Sequence, residues 1–299
     1  MSDISVLLAT HNSEKYLSAQ LDSLITQTLP VHIFVSDDFS TDSTLEILKK
    51  YPVTLIKSDT PLKSAQENFM FLLQNVPHAD YYMFCDHDDV WLKDKVERTL
   101  NKMLELDNNK PALVHGELAV ADEKLNIISE SMFVRQKLDK IQSLERTLIQ
   151  NNVTGCTVMI NNALRDIAIK KHDTKDMIMH DWFLALLASA CGSVGFVEPY
   201  LMLYRQHGNN EVGAKDASSI KYIVQKAFSS KNKESLERTF YQAKMIAELY
   251  KNELGEKYTV FNEYGSCIDK SKLERIKICK KYGIRKNTLL RYVGQIIFM

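Results

Sequence analysis

The sequence predicts an α/β protein, a mostly parallel sheet flanked by helices, with a helical C-terminal extension. Three observations carry this. Through the first 115 positions, short apolar runs alternate with helical stretches of about ten to fifteen residues, the pattern of βαβ units. Polar residues cluster immediately after three of those runs. After Pro199 the 299-residue chain has no further proline, and its apolar positions recur at helical spacing.

The elements follow in order. Ile4–Ala9 reads as the first strand, and Ser13 offers an N-cap for an amphipathic stretch reaching about Gln27. Val31–Ser36 is the second strand. It is followed by Asp37-Asp38 and a Ser40/Thr41 cap before Leu45-Glu46-Ile47-Leu48. Val53–Ile56 is the third, and residues 65–75 carry a helical pattern through Phe69, Leu72 and Leu73. Tyr81–Cys85, aromatic and uncharged, reads as a strand buried on both faces, with a helix from about Leu92 to Leu106 behind it. Thr157–Ile160 and Val194–Val197 look like strands, and Ile178–Ala190 like a helix buried on most of its surface. From Ser218 the pattern is helical through Leu236, Phe240, Met245, Ile246 and Leu249. The expected organisation is a catalytic domain over 1–213, with halves 1–115 and 116–213, and a helical extension over 214–299.

At 45% hydrophobic the chain can bury a full core. Five scattered cysteines with no C-x-x-C spacing read as reduced thiols of a cytosolic protein, neither a disulfide frame nor a zinc site. Met1-Ser2-Asp3-Ile4 lacks the basic start of a leader. The uncharged apolar run Trp182 to Val197 is too short and broken to span a bilayer. The neutral total hides an asymmetry: residues 214–299 carry a net +9 and residues 1–213 a net −9. Most of the excess lies in 270–299, where nine basic residues face only Glu274. The two ends are thus expected to meet different partners.

In parallel sheets ligands bind beyond the carboxyl ends of the strands. That places His11-Asn12, Asp37-Asp38 and Asp86–Asp89 on one rim. Asp86, Asp88 and Asp89 repel one another, and a hard cation such as Mg2+ or Mn2+ relieves that repulsion while bridging to substrate phosphates. A solvated acidic turn is the plainer alternative. No G-x-G-x-x-G or P-loop occurs, and the first glycine is Gly116, so phosphate must be held by metal and side chains. Thr10 and Asn12 are hydroxyl and amide partners for a nucleoside, and Asp38 suits the ring N–H of a pyrimidine. A capping turn explains Asp38 equally, and a first-turn acid explains Glu14. Asp181, between His180 and Trp182 at a helix start, is a helix cap or a partly buried general base. In Tyr204-Arg205-Gln206-His207-Gly208-Asn209-Asn210, read as a flexible loop, Arg205 suits a diphosphate and His207 a phosphate or a metal; a polar surface loop is the alternative. Trp91 and Trp182 offer apolar faces near the site or are simply core.

These residues resemble family 2 glycosyltransferases of the GT-A fold, Rossmann-like, and within them the rhamnosyltransferases of bacterial surface polysaccharide. The resemblance covers about residues 3–213. It rests on Leu8-Ala9-Thr10-His11-Asn12 with Tyr16-Leu17 and Gln20-Leu21, Ser36–Thr44, Phe84–Trp91, His180-Asp181-Trp182 and Tyr204–His207. It implies that Asp86 and Asp88 are the acids of a D-x-D motif, Asp88 the direct metal ligand and Asp86 touching metal or ribose. It implies a nucleoside pocket of Thr10, His11, Asn12, Glu14 and Asp38, a catalytic base in Asp181, and closure over the diphosphate by His207, counted with Asp88 and Asp86 in the metal set. His11 stands where tyrosine is common, and the segment Lys63–Asn68 lacks a glycine often found there.

The expected activity is an inverting, Mg2+- or Mn2+-dependent transfer of L-rhamnose from dTDP-rhamnose to a saccharide, lipid-linked, in cell-surface polysaccharide synthesis. The expected location is cytoplasmic, peripheral at the inner face of the plasma membrane, with no nucleic-acid partner. The alternatives are a sugar nucleotidyltransferase, which would want a Gly-rich loop after the first strand, and a noncatalytic scaffold. An inverting glycosidase needs an acid and a base across the bond, and no such pair is evident. The basic tail, interleaved with Leu273, Ile276, Ile278, Tyr282, Ile284, Leu289, Leu290, Tyr292, Val293, Ile296, Ile297 and Phe298, is expected to lie on an anionic membrane or to pack its apolar face on the catalytic domain.

Overall fold

In the computed structural model, residues 2–170, 175–207 and 231–299 are described. Gly208, Asn209 and Asn210 of the expected loop, the boundary near 213 and the start of the helical run at Ser218 lie outside them. The chain divides into two compact units. The first is Met1–Met132, Val153–Lys170 and Ser193–Ala214; the second is Phe133–Asn152, Lys171–Gly192 and Lys215–Met299.

The first unit has the α/β architecture of the GT-A fold. Its strands are β1 (Ile4–Thr10), β2 (His32–Asp37), β3 (Val53–Leu55), β4 (Tyr81–Cys85), β5 (Val90–Trp91), β6 (Ala112–Gly116), β7 (Ala119–Ala121), β8 (Ile127–Ser129), β9 (Met159–Asn161), β10 (Ser193–Val197) and β11 (Met202–Arg205). Its helices are α1 (Leu17–Ile25), α2 (Thr44–Leu48), α3 (Ala65–Asn75), α4 (Lys95–Leu104) and, after Met132–Gln136 (α5) and Leu144–Thr147 (α6) of the second unit, α7 (Asn162–Lys170). A seven-stranded sheet runs β10-β6-β9-β4-β1-β2-β3, and β9 pairs antiparallel with both its neighbours. A second sheet of four short strands runs β5-β11-β7-β8.

The registers explain the rim. Thr10 lies opposite Asp37, and Leu8 opposite Cys85, so β1, β2 and β4 end side by side. Every residue of β1 and β4 is buried, as runs without charge require. Helix starts differ in detail from expectation. Ser13 does not cap α1; its hydroxyl accepts from His11 N–H while the helix begins at Leu17. For α2 the capping oxygen comes from Asp42, which accepts from Thr44 N–H, in place of Ser40 or Thr41. Ser64 caps α3 through Glu67 N–H.

The second unit is helical: α5 (Met132–Gln136), α6 (Leu144–Thr147), α8 (His180–Cys191), α9 (Lys231–Leu249), α10 (Lys251–Leu254), α11 (Tyr258–Gly265), α12 (Lys272–Tyr282) and α13 (Leu289–Phe298). Grouping 133–152 and 171–192 with the C-terminal helices departs from a single boundary at 213. The cause is apolar packing: α8 is buried along most of its length, and Phe183 meets Tyr250 with ring centroids 5.9 Å apart. Phe240 and Tyr264 make an edge-to-face pair at 5.0 Å, and the Tyr264 hydroxyl bonds Thr239 Oγ1 at 2.8 Å. Residues 270–299, expected as one basic helix, form two. Ser271 and Glu274 make a capping box at the start of α12, and Gly283, at φ 69°, ends it.

Where α11 ends, Gly265 abuts backbone. A Cβ there would lie 2.7 Å from Lys244 Cα and N. Backbone cannot yield cheaply, so Gly265→Ala should destabilise the fold by about 1–3 kcal/mol. Urea unfolding checks this, and a change within error would mean that the α9–α11 contact is loose.

Candidate active site

The loops after β1, β2 and β3 are tied to one another. Thr10 Oγ1 donates to Asp37 Oδ1 at 2.8 Å, and Ser40 fills the rest of that carboxylate through its hydroxyl and amide. Asp38 accepts Leu62 N–H and Lys63 N–H, one on each oxygen, at 2.7 and 2.8 Å. His11 Nδ1–H donates to Asp38 O at 2.6 Å, which leaves Nε2 to accept from Asn12 Nδ2. Asn12 Oδ1 takes Thr41 N–H, and Glu14 Oε2 takes Ser43 N–H. Asn12, Phe39 and Lys63 carry φ of 48°, 57° and 67°, left-handed conformations unusual outside glycine.

These bonds revise two expectations. Asp38 secures the loop at Lys63, and a ring N–H would share oxygens that each already hold one donor. Glu14 acts as a capping acid, but on α2 rather than on its own helix. Lys63 itself adopts the backbone for which a glycine would serve.

The acidic turn joins β4 of the large sheet to β5 of the small one. Asp88 is buried, and its Oδ2 lies 2.7 Å from His207 Nε2. Asp89, the third acid of the cluster and outside the metal set that the resemblance implies, is fully buried and accepts Arg205 N–H at 3.0 Å. Burial pushes its carboxyl well above the ordinary range, and the charges of Asp88 and Asp86 push the same way. Burial likewise lowers the His87 imidazole, with Asp88 opposing and His207 and His11 reinforcing.

Arg205 is not a free phosphate clamp. It is buried, donates through Nε to Asp88 O at 2.7 Å and through Nη1 to Glu123 O at 2.5 Å, and stands 4.5 Å from the Tyr16 ring centroid. The segment read as a flexible loop is, at Tyr204 and Arg205, the end of β11. Tyr16 joins the group, with its ring 5.0 Å from the His207 ring and its hydroxyl bonded to Glu123 Oε1. Tyr16 carries part of the family resemblance but no expected role, and Glu123 none at all, because their contacts are long-range.

The D-x-D acids fall into different groupings. Asp88 faces His207, whereas donor atoms of Asp86, Asp89 and Cys156 lie within 4.8 Å of one another. Burial raises the Cys156 thiol well above its ordinary range, so it stays protonated and is a poor ligand. A carboxylate and an imidazole converging beside two further acids fit a divalent ion that takes oxygen and nitrogen, as Mn2+ does, or Mg2+ through oxygen.

Trp91 does not face a substrate. It is 3% exposed, with Lys95 Nζ 3.4 Å from its ring centroid. Lys95 is fully buried, donates to Cys156 O, and burial lowers it to about 8.

In the second unit, Asp181 is buried at the start of α8. Its Oδ1 accepts from Asn151 Nδ2 at 3.1 Å and from Trp182 N–H at 2.5 Å. The N-cap position belongs to Met179, so Asp181 is not a conventional cap. Trp182 is half-buried and fixed by Nε1–H to Thr147 O at 2.6 Å.

Residues 5–168 match the family model described as Glycosyl transferase family 2. The dTDP-rhamnosyl transferase RfbG of Shigella flexneri is 32% identical over 233 residues, 72% of this chain and 76% of that protein. Among solved structures, S. aureus TarS 1-349 in complex with UDP-GlcNAc superposes with a TM-score of 0.55 at 16% identity, covering 95% of this chain and 93% of that one. The mannosyltransferase PcManGT from Pyrobaculum calidifontis, in complex with GDP-Man and Mn2+, gives 0.51 at 13% identity, covering 99% and 86%.

His180 provides a test of how the His-Asp-Trp segment is built. Burial lowers its imidazole from 6.5 to about 3. The unfolded chain therefore binds a proton that the fold refuses. The stability due to neutral burial is complete above pH 6.5 and falls as pH drops toward 3, by about 1.4 kcal/mol per unit. His180→Gln should flatten that part of a stability-against-pH curve measured by urea unfolding. An unchanged slope would place the imidazole in contact with water.

Proposed function

Because the chain belongs to glycosyl transferase family 2 and is a glycosyltransferase, we propose that it is an inverting, metal-dependent rhamnosyltransferase. It moves L-rhamnose from dTDP-L-rhamnose to a saccharide acceptor, lipid-linked, in cell-surface polysaccharide synthesis. The observation that carries the donor is the 32% identity to a dTDP-rhamnosyl transferase over 72% of the chain. The acceptor is met at the inner face of the plasma membrane. Among the described residues no helix is long and apolar enough to cross a membrane.

In this reading Asp88, His207 and Asp86 hold Mg2+ or Mn2+. When bound, the ion supplies Lewis acidity at the leaving diphosphate. Asp181 takes the proton of the acceptor hydroxyl as that oxygen forms its bond to the anomeric carbon. The bond from that carbon to the diphosphate breaks on the opposite face, which inverts the configuration, and the nucleoside diphosphate leaves with the bonding pair. Asn151 and the Trp182 amide hold the Asp181 carboxylate in one orientation, as a base must be held. His11, exposed and fixed through Nδ1, stacks on the base, with Thr10, Asn12, Glu14 and Asp38 shaping the nucleoside pocket. Arg205 acts through the backbone of Asp88 and the placement of His207. Trp182 lies by the sugar.

Incubation with dTDP-rhamnose and Mn2+ should release nucleoside diphosphate slowly without acceptor. Clear turnover of a uridine diphosphate hexose, with none of the thymidine donor, would reject the sugar assignment. Asp88→Asn should abolish activity and the Mn2+ dependence of nucleoside-diphosphate binding while the fold persists, since it relieves clustered negative charge. Retained Mn2+ dependence, measured by calorimetry, would take Asp88 out of the site. Asp181→Asn should leave donor affinity nearly unchanged and lower turnover by about 10² to 10⁴. Substantial residual turnover with a much lower melting temperature would instead make Asp181 a structural residue.

A further inference from the structure

Helix α13 is turned inside out for a helix in water. A surface helix normally buries its apolar stripe and presents its polar one. At 3.6 residues per turn, Leu289, Leu290, Val293 and Ile297 share one face, and they are 79%, 53%, 46% and 56% exposed. Gly294 borders this face with open space where a Cβ would be. The polar residues point the other way. Arg291 donates through Nη2 to Gln136 O at 2.6 Å and through Nη1 to Lys137 O at 3.1 Å. Gln295 is buried, donating to Ile284 O and accepting from Lys286 N–H. Inward hydrogen bonds thus fix the roll of the helix, which cannot rotate its leucines inward without orphaning those polar groups.

The surroundings of this face are cationic. Lys272 Nζ donates to Ile297 O, which brings the start of α12, with Leu273 73% exposed, to the end of α13. Lys280 and Arg285, together with Ile276, Tyr292 and Ile296, line a cavity of about 340 Å³ between the two helices. Residues 270–299 carry nine basic side chains and one acid.

An uncharged apolar stripe set among cations matches the headgroup region of an anionic bilayer. A second copy of the chain would bring the same cations against it. We propose that the outward face of α13 docks on an anionic membrane, with Leu289, Leu290, Val293 and Ile297 inserted and Lys280 and Arg285 at the level of the headgroup phosphates. This refines the reading above by naming the surface that meets a lipid-borne acceptor, and it rests on that reading only for the acceptor's location.

The test is cosedimentation of the full chain with phosphatidylglycerol-containing vesicles and with pure phosphatidylcholine vesicles. Binding to the first and not the second, weakening as salt rises, is expected. Leu290→Glu and Val293→Glu together should reduce vesicle binding at least about tenfold at an unchanged melting temperature, because both side chains already face solvent. Lys280→Glu with Arg285→Glu should reduce it on anionic vesicles as well. Equal partitioning of the parent and the Leu290→Glu/Val293→Glu chain would overturn the proposal. So would a dimer that this pair dissociates in the absence of vesicle binding. Vesicle binding is read without donor or acceptor, so it stands or falls separately from the donor assay.

Discussion

A single buried guanidinium holds together the polar machinery at the head of β4. Ionised groups are costly to remove from water unless their donors are satisfied. Arg205 meets that condition with the carbonyls of Asp88 and Glu123 and the face of Tyr16, while its own backbone N–H bonds one oxygen of Asp89. The acidic turn is thereby fixed from outside its own segment. It is also held at both ends, by β4 in the large sheet and by β5, whose Val90 and Trp91 pair with Leu203 and Met202 of β11. His207 is two residues beyond Arg205, so its approach to Asp88 follows from the same anchor.

The electrostatics of this region balance attraction against burial. Lys95 sits beneath the acids with no exposure, held by the Trp91 ring and the Cys156 carbonyl. Burial dominates its lowered pKa, and the charges of Asp89 and Asp86 work in the opposite sense. For Asp89 burial dominates again, and two like charges add to it. The turn therefore crowds three carboxylates where burial disfavours their charge. That is the condition under which a divalent cation is welcome, and it arises from placement on the chain rather than from composition.

Much of this was legible in the residues. The four leading strands were readable because each is a short apolar run ended by polar residues, and burial of β4 on both faces follows from five uncharged side chains. The rim was readable from topology alone. What escaped was whatever depends on long-range partners. Nothing local distinguishes Asp89 from Asp88, yet one is sealed by Arg205 and the other faces His207. Trp91 looked available to a sugar because its covering lysine is four residues on and folds back over it. The small sheet went unseen because two- to four-residue strands carry too little periodicity to register. The C-terminal basic run is amphipathic in α13, but the orientation of that helix was not legible, since the inward hydrogen bonds of Arg291 and Gln295 end on carbonyls that have no sequence signature.

The five cysteines have a practical consequence. Burial pushes all their thiols upward: Cys191 and Cys267 to about 11, Cys279 to about 12, and Cys85 and Cys156 well above the ordinary range. In the native state each is almost wholly protonated at neutral pH and correspondingly inert toward an alkylating reagent. Cys191 is half-buried, but at the four buried thiols reaction requires the surrounding structure to open, so their alkylation rates report opening free energies. Cys85 and Cys156 belong to the first unit, and Cys191, Cys267 and Cys279 to the second. The chain thus carries its own pair of clocks, one for each unit, without the introduction of any label.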